Sequence, residues 1–135
     1  MKQNLHAALL SVFTAAAMLF SCTPTQDDVK TKLVKPWKIN KYYVDNKDST
    51  AAFKAKNKNY SLQFFEDMSF VQTAIVNDTF RARYGSWYLN KGSDSLFLES
   101  PADTNRFFIR LLRIKNLNIR EVKSNTSYDY LMVEF

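Results

Sequence analysis

The chain has 135 residues, a formal net charge of +6, 46% hydrophobic and 15% aromatic residues, two glycines, one cysteine and one histidine. That length holds one domain, and the apolar and aromatic content excludes a disordered chain. The basic residues are spread, with a loose cluster at Lys30, Lys32, Lys35, Lys38 and Lys41, and read as a solvated face rather than a nucleic-acid surface.

Lys2 followed by the apolar run Ala7 to Phe20 has the form of a signal peptide. The run is well short of the roughly 20 residues that a permanent helical span needs. It closes on Leu19-Phe20-Ser21-Cys22. A charge, an apolar run, a small residue and then Cys resemble a bacterial lipoprotein signal with its lipobox. That resemblance implies cleavage of residues 1–21 and lipid attachment at Cys22, hence a Gram-negative cell envelope and an outer-membrane lipoprotein. Periplasmic and cell-surface sides both stay open. Residues 22–32 then read as a flexible tether after the lipidated cysteine. Within it, Gln26-Asp27-Asp28 resembles the short acidic signals that route some lipoproteins to the cell surface, and a plain polar linker explains it equally well.

The domain is expected over residues 33–135. Leu33 to Val44 alternates around Trp37, Ile39 and Tyr43, the period of a half-buried strand, with Pro36 suited to an edge or a strand start. Asp45 to Asp48 is a turn, and Ser49 to Lys58 can hold one short helix capped by Ser49 or Thr50. Strands follow at Tyr60 to Phe64, Ser69 to Val76, Phe80 to Leu89 and Ser95 to Glu99. The loop Asn90 to Asp94 is expected to place Gly92 at a positive φ. Asn105 to Ile114 puts Phe107, Ile109 and Leu111 on one face and Arg106 and Arg110 on the other. Leu117 to Arg120 alternates too, and Tyr128 to Phe135 shows Leu131, Val133 and Phe135 on one side. The fold class is all-β: eight antiparallel strands, which hide their edges by closing into an up-and-down barrel.

Three phrases carry a resemblance. Leu33-x-x-x-Trp37-x-Ile39, Phe64-x-x-Asp67-x-Ser69-Phe70, and Gly85-x-Trp87-x-Leu89 with Leu96-x-Leu98 resemble bacterial lipocalin-like lipoproteins. The resemblance implies a lipocalin-like barrel. Lys35 stands where that family usually has glycine. Lipocalins proper often lay an arginine from the last strand across the first tryptophan. Tyr128 to Phe135 has none, which leaves Arg113 or Arg120 to face Trp37.

Chemistry is limited by what the sequence lacks. His6 falls in the signal and Cys22 is taken by lipid, so the domain has no triad nucleophile–base pair, no His or Cys metal ligand and no Gly-rich phosphate loop. No catalytic residue, metal or cofactor is expected. A carboxylate glycosidase would have to draw on Glu66, Asp67, Asp94, Glu99 and Glu121. The aromatics Trp37, Tyr43, Phe64, Tyr84, Trp87 and Phe108 either fill the barrel or line a cavity, and Arg81, Arg83, Arg106 and Arg110 either face solvent or hold an acidic ligand. The leading function is an envelope-anchored lipoprotein whose barrel binds a small hydrophobic or amphipathic molecule. The alternative is a non-catalytic structural or protein-interaction subunit of an envelope assembly. Expected partners are the membrane through the anchor, a small apolar ligand and an envelope protein, with no nucleic acid.

Overall fold

Every strand expected from the alternation is present in the computed structural model, which describes residues 23–135. The segment expected to be a signal peptide, and Cys22, lie outside the described residues. The order is α1 (Gln26–Leu33), β1 (Pro36–Val44), β2 (Lys47–Asp48), α2 (Thr50–Lys56), β3 (Lys58–Phe64), β4 (Ser69–Val76), β5 (Thr79–Leu89), β6 (Ser95–Glu99), β7 (Thr104–Leu112), β8 (Asn116–Lys123) and β9 (Thr126–Glu134). Consecutive strands from β3 to β9 pair antiparallel, and β1 closes the ring by pairing with both β3 and β9. The result is a closed eight-strand barrel, with β2 a two-residue appendage on β1.

Asparagine and aspartate do the work that glycine does in most hairpins. Three two-residue turns, Asp45-Asn46, Asn77-Asp78 and Ser124-Asn125, have both residues at φ between 46° and 67°. Positive φ at both positions twists the turn in the sense the strands require, and Asx side chains tolerate it. In the loop Asn90 to Asp94 the left-handed residue is Ser93, at φ 56°, and not Gly92 as expected. The Asn90 side chain accepts from the amides of Asp94 and Ser95 and so shapes that loop itself.

Most of the stretch expected as a tether is folded. Gln26–Leu33 is a helix whose N-cap Thr25 forms a reciprocal capping box with Asp28. The Asp28 amide donates to Thr25 Oγ1 at 3.2 Å, and Asp28 Oδ2 accepts from the Thr25 amide and hydroxyl at 3.2 and 2.8 Å. Those bonds hold the Asp28 carboxyl below its ordinary pKa. Asp27 and Asp28 in the first turn and Lys30 and Lys32 in the last complement the helix dipole. Val29 and Leu33, four apart, share one buried face that closes one end of the barrel. The folded unit therefore starts at Thr25, Leu33 ends a helix instead of starting a strand, and Gln26-Asp27-Asp28 has a helix-start explanation.

Beneath α1 the barrel is solid. Trp37, Leu62, Phe64, Phe70, Trp87, Leu96, Leu98, Leu117, Ile119 and Met132 are buried together. Both indoles find acceptors: Trp37 Nε1 donates to Leu33 O at 3.0 Å and Trp87 Nε1 to Phe65 O at 3.2 Å. No arginine lies across Trp37. Lys35 takes that place, its Nζ 5.7 Å from the ring centroid, while Arg120 forms a two-pronged pair with Asp129 at 2.7 and 2.9 Å. The residue in place of the family's usual glycine thus supplies the cation.

Two bulges change which side chains point inward. The β1–β9 register shifts between Ile39 and Lys41, so Tyr42, and not Tyr43, turns toward the core. The β7–β8 register shifts between Ile109 and Leu111, and Leu112 replaces Leu111 on the inner side. In β9 the inward residues are Tyr130 and Met132, so the expected Leu131, Val133 and Phe135 side is the outer one.

Candidate functional site

The end opposite α1 is where the solid core gives way to a cup. Its volume is about 290 Å³, and Phe53, Tyr60, Arg83, Asn105, Glu121 and Tyr130 are among its lining residues. One wall is polar. Arg83 on β5 donates through Nε to Ser100 Oγ at 3.1 Å and through Nη2 to Asp103 Oδ1 at 2.6 Å and Asn105 Oδ1 at 2.7 Å. Asn105 Nδ2 donates to Glu121 Oε1 at 2.7 Å, and Lys123 Nζ reaches the same oxygen at 2.8 Å. Six residues from three strands and a loop thus form one chain of charge-assisted hydrogen bonds. Asn105 and Glu121 are buried, and the Arg83 guanidinium also lies 5.5 Å from the Phe70 ring centroid in the floor.

The facing wall is aromatic. Tyr42, Phe53, Tyr60, Phe107 and Tyr130 form a chain of tilted and edge-on contacts with ring centroids 4.3 to 6.1 Å apart. Such pairs contribute about 0.5–1.5 kcal/mol each beyond their buried area. Burial pushes the Tyr60 and Tyr130 phenols well above their ordinary range, and Tyr42 also upward. All three are neutral hydroxyls at physiological pH, able to donate or accept. Phe53 comes from α2, which covers the gap left because β1 pairs with β3 only over Pro36 to Lys38. A second opening of about 350 Å³, lined by Lys38, Lys54 and Lys58, meets the cup at Asn57 and Tyr60.

The sequence-derived candidates divide between floor, cup and outer wall. Trp37, Phe64 and Trp87 are floor; Tyr84 is exposed, and Tyr43 and Phe108 face outward, with Arg106 stacked on Phe108 at 4.5 Å. Of Arg81, Arg83, Arg106 and Arg110, only Arg83 enters the cup. Of the five carboxylates, Glu66, Asp67 and Asp94 lie in turns at the α1 end, Glu99 ends β6, and only Glu121 enters the cup. Each cup carboxylate is engaged by a cation, Asp103 by Arg83 and Glu121 by Lys123. Among the described residues no group of three or more His, Cys, Asp or Glu side chains is placed to hold a metal ion. The missed residues, Phe53, Tyr60, Asn105, Phe107 and Tyr130, become site residues only through the bulges, the helix placement and the closure.

No family model and no curated protein matches the chain. Solved structures do. A lipocalin-like protein from Bacteroides uniformis superposes with a TM-score of 0.59 at 12% identity, covering 77% of this chain and 99% of that one. The siderocalin Ex-FABP, described as having dual ligand specificities, gives 0.51 at 15% identity over 77% and 74% of the two chains. Bovine odorant binding protein, in complex with a selenium-containing odorant, gives 0.50 at 13% identity over 78% and 72%. With the closed eight-strand ring and the cup at one end, the fold is that of a bacterial lipocalin-like protein.

Proposed function

We propose that this chain is an envelope-anchored lipoprotein, acylated at Cys22, whose barrel mouth binds a small amphipathic molecule without transforming it. The cup carries the reading. It sets an aromatic wall opposite a hydrogen-bonded Arg83–Asn105–Glu121 wall above a dry floor, and pockets of that kind orient a ligand through a few polar groups while apolar surface supplies affinity. Its volume of about 290 Å³ suits a small molecule, and the adjoining lysine-lined opening gives a longer one room to extend. Ligand binding in structural neighbours such as the odorant binding protein supports the same direction.

Protein purified from its own membrane and analysed by native mass spectrometry is expected to carry one small molecule, released by organic extraction. A barrel recovered empty, with no small amphipathic molecule retained on rebinding, overturns the reading. A second reading, an interaction subunit of an envelope assembly, is favoured by the outward residues Phe80, Tyr84 and Tyr88 of β5, which are 66%, 64% and 41% exposed. An empty barrel recovered with a stable protein partner selects it.

The anchor has its own test. Cys22→Ser is expected to leave the chain uncleaved and without acyl mass, because the lipid-bearing thiol is gone. An unchanged mass and unchanged processing refute lipidation at this residue.

A further inference from the structure

The turn between β7 and β8, Arg113-Ile114-Lys115, sets an apolar side chain at the α1 end of the barrel. Ile114 is 68% exposed. The turn is nonetheless fixed: Lys35 Nζ donates to Ile114 O at 2.7 Å, the Arg113 amide to Asn116 O at 2.8 Å, and the Glu134 amide to Lys115 O at 3.2 Å. Around that tip stand Lys32, Arg110, Arg113 and Lys115, lining two shallow depressions that share Lys32 and Leu112. None of the four forms a salt bridge among the described residues. Of the acids near them, Glu134 pairs with Lys35 at 3.5 Å, Asp94 accepts from Asn90 and Ser95, and Asp28 accepts from Thr25 with Lys32 close enough to act on it electrostatically. Pro24 lines the second depression beside Lys32 and Arg110. Cys22 is two residues away, a reach of at most about 7 Å along an extended chain. Because α1 starts at Gln26, no long tether lets the barrel drift from its attachment point.

From this placement we infer that the β7–β8 turn and the adjoining end of α1 form a docking face for an anionic lipid surface. Arg113, Lys115, Lys32 and Arg110 meet acidic headgroups and Ile114 enters the interface. Four unpaired cations within a Debye length of a negative leaflet are attracted to it, and a rigid apolar tip adds contact without ordering cost. The proximity argument rests on the acylated Cys22 proposed above; the charge and the exposed tip do not. Docking this way points the cup away from the bilayer, so its contents exchange with the aqueous side.

Acylation blocks the thiol of Cys22, the only native cysteine, so Ile114→Cys then accepts one polarity-sensitive dye; unacylated protein is labelled with Cys22 replaced by serine, and Val122→Cys, 52% exposed near the open end, serves as control. With vesicles containing phosphatidylglycerol, the dye at 114 is expected to shift to the blue and to be quenched by lipid-borne quenchers, while the dye at 122 stays aqueous. Adding Arg113→Ala and Lys115→Ala should weaken the response roughly fivefold per cation removed. Equal aqueous signals at 114 and 122, or equal responses to neutral phosphatidylcholine vesicles, overturn docking. Intact mass of the same samples reports acylation separately. Unacylated protein that still shows a saturable shift at 114 supports docking while the anchor reading fails.

Discussion

Gly85→Ala is expected to lose about 3 kcal/mol of stability, roughly 10 °C in melting temperature, at the upper end of what overpacking a core costs. Gly85 has no positive φ, so the requirement is space and not conformational freedom. It lies opposite Phe70 of β4, beside the Ser86–Glu99 pair that joins β5 to β6. A Cβ on Gly85 would collide with the Glu99 carbonyl oxygen and come within 2.8 Å of the Phe70 ring. The Glu99 carbonyl is backbone at the end of a paired strand and cannot rotate aside. Relief requires β6 to move, and β6 carries the buried Leu96 and Leu98. Gly92→Ala is the control, since its nearest neighbours would be 3.8–3.9 Å from the new carbon. Thermal unfolding monitored by tryptophan fluorescence compares the two; equal midpoints for Gly85→Ala and the parent chain contradict the account.

Arg83→Met should lower affinity for the molecule recovered from the barrel by about 10- to 150-fold, the equivalent of about 1.5–3 kcal/mol for a hydrogen bond to a charged group. Arg83 is the cup's guanidinium, and its Nε and Nη2 are held by Ser100, Asp103 and Asn105. That leaves Nη1 to face a ligand from a fixed position. Methionine keeps an unbranched apolar side chain and removes the donors and the charge beside Phe70. Folding is weakened as well, because the buried Asn105 Oδ1 loses its donor at a cost of about 1–3 kcal/mol, whereas the 54% exposed Asp103 side chain can be rehydrated. Arg83→Lys keeps the charge without the planar fork and should fall between. Isothermal titration with the extracted molecule decides it: an unchanged dissociation constant for Arg83→Met removes Arg83 from the site, even if the barrel binds.

How much of this was legible before the structure depends on how local each signal is. Strand positions were, because a period of two and Asx-rich turns are encoded within a few residues. The strands at Ser69 to Val76 and Ser95 to Glu99 match residue for residue. The helix over Gln26–Leu33 was legible in principle from the Thr25–Asp28 capping spacing and the Val29–Leu33 pair, but its polar composition resembles a linker. The cup was not legible. Its aromatic wall needs Tyr42 and Tyr130 pointing inward, and the first of these depends on a bulge at Asn40 that no local pattern announces. Its polar wall joins Arg83, Asn105 and Glu121, residues far apart in the chain that meet only when β5, β7 and β8 are bent around one axis.

From the amino acids alone come the all-β class, the number of barrel strands, the turn chemistry, the resemblance to lipocalin-like lipoproteins and the absence of histidine and free thiol after Cys22. Composition and short-range periodicity carry these, and neither needs a partner strand. Tertiary structure decided which face of each strand is inside, since one inserted residue reverses every side chain beyond it. It also decided that α1 seals one end, that Lys35 rather than an arginine covers Trp37, and that the open end combines an aromatic wall with a charged one. Those outcomes depend on closure of the ring, where β1 meets β9 from opposite ends of the barrel's sequence.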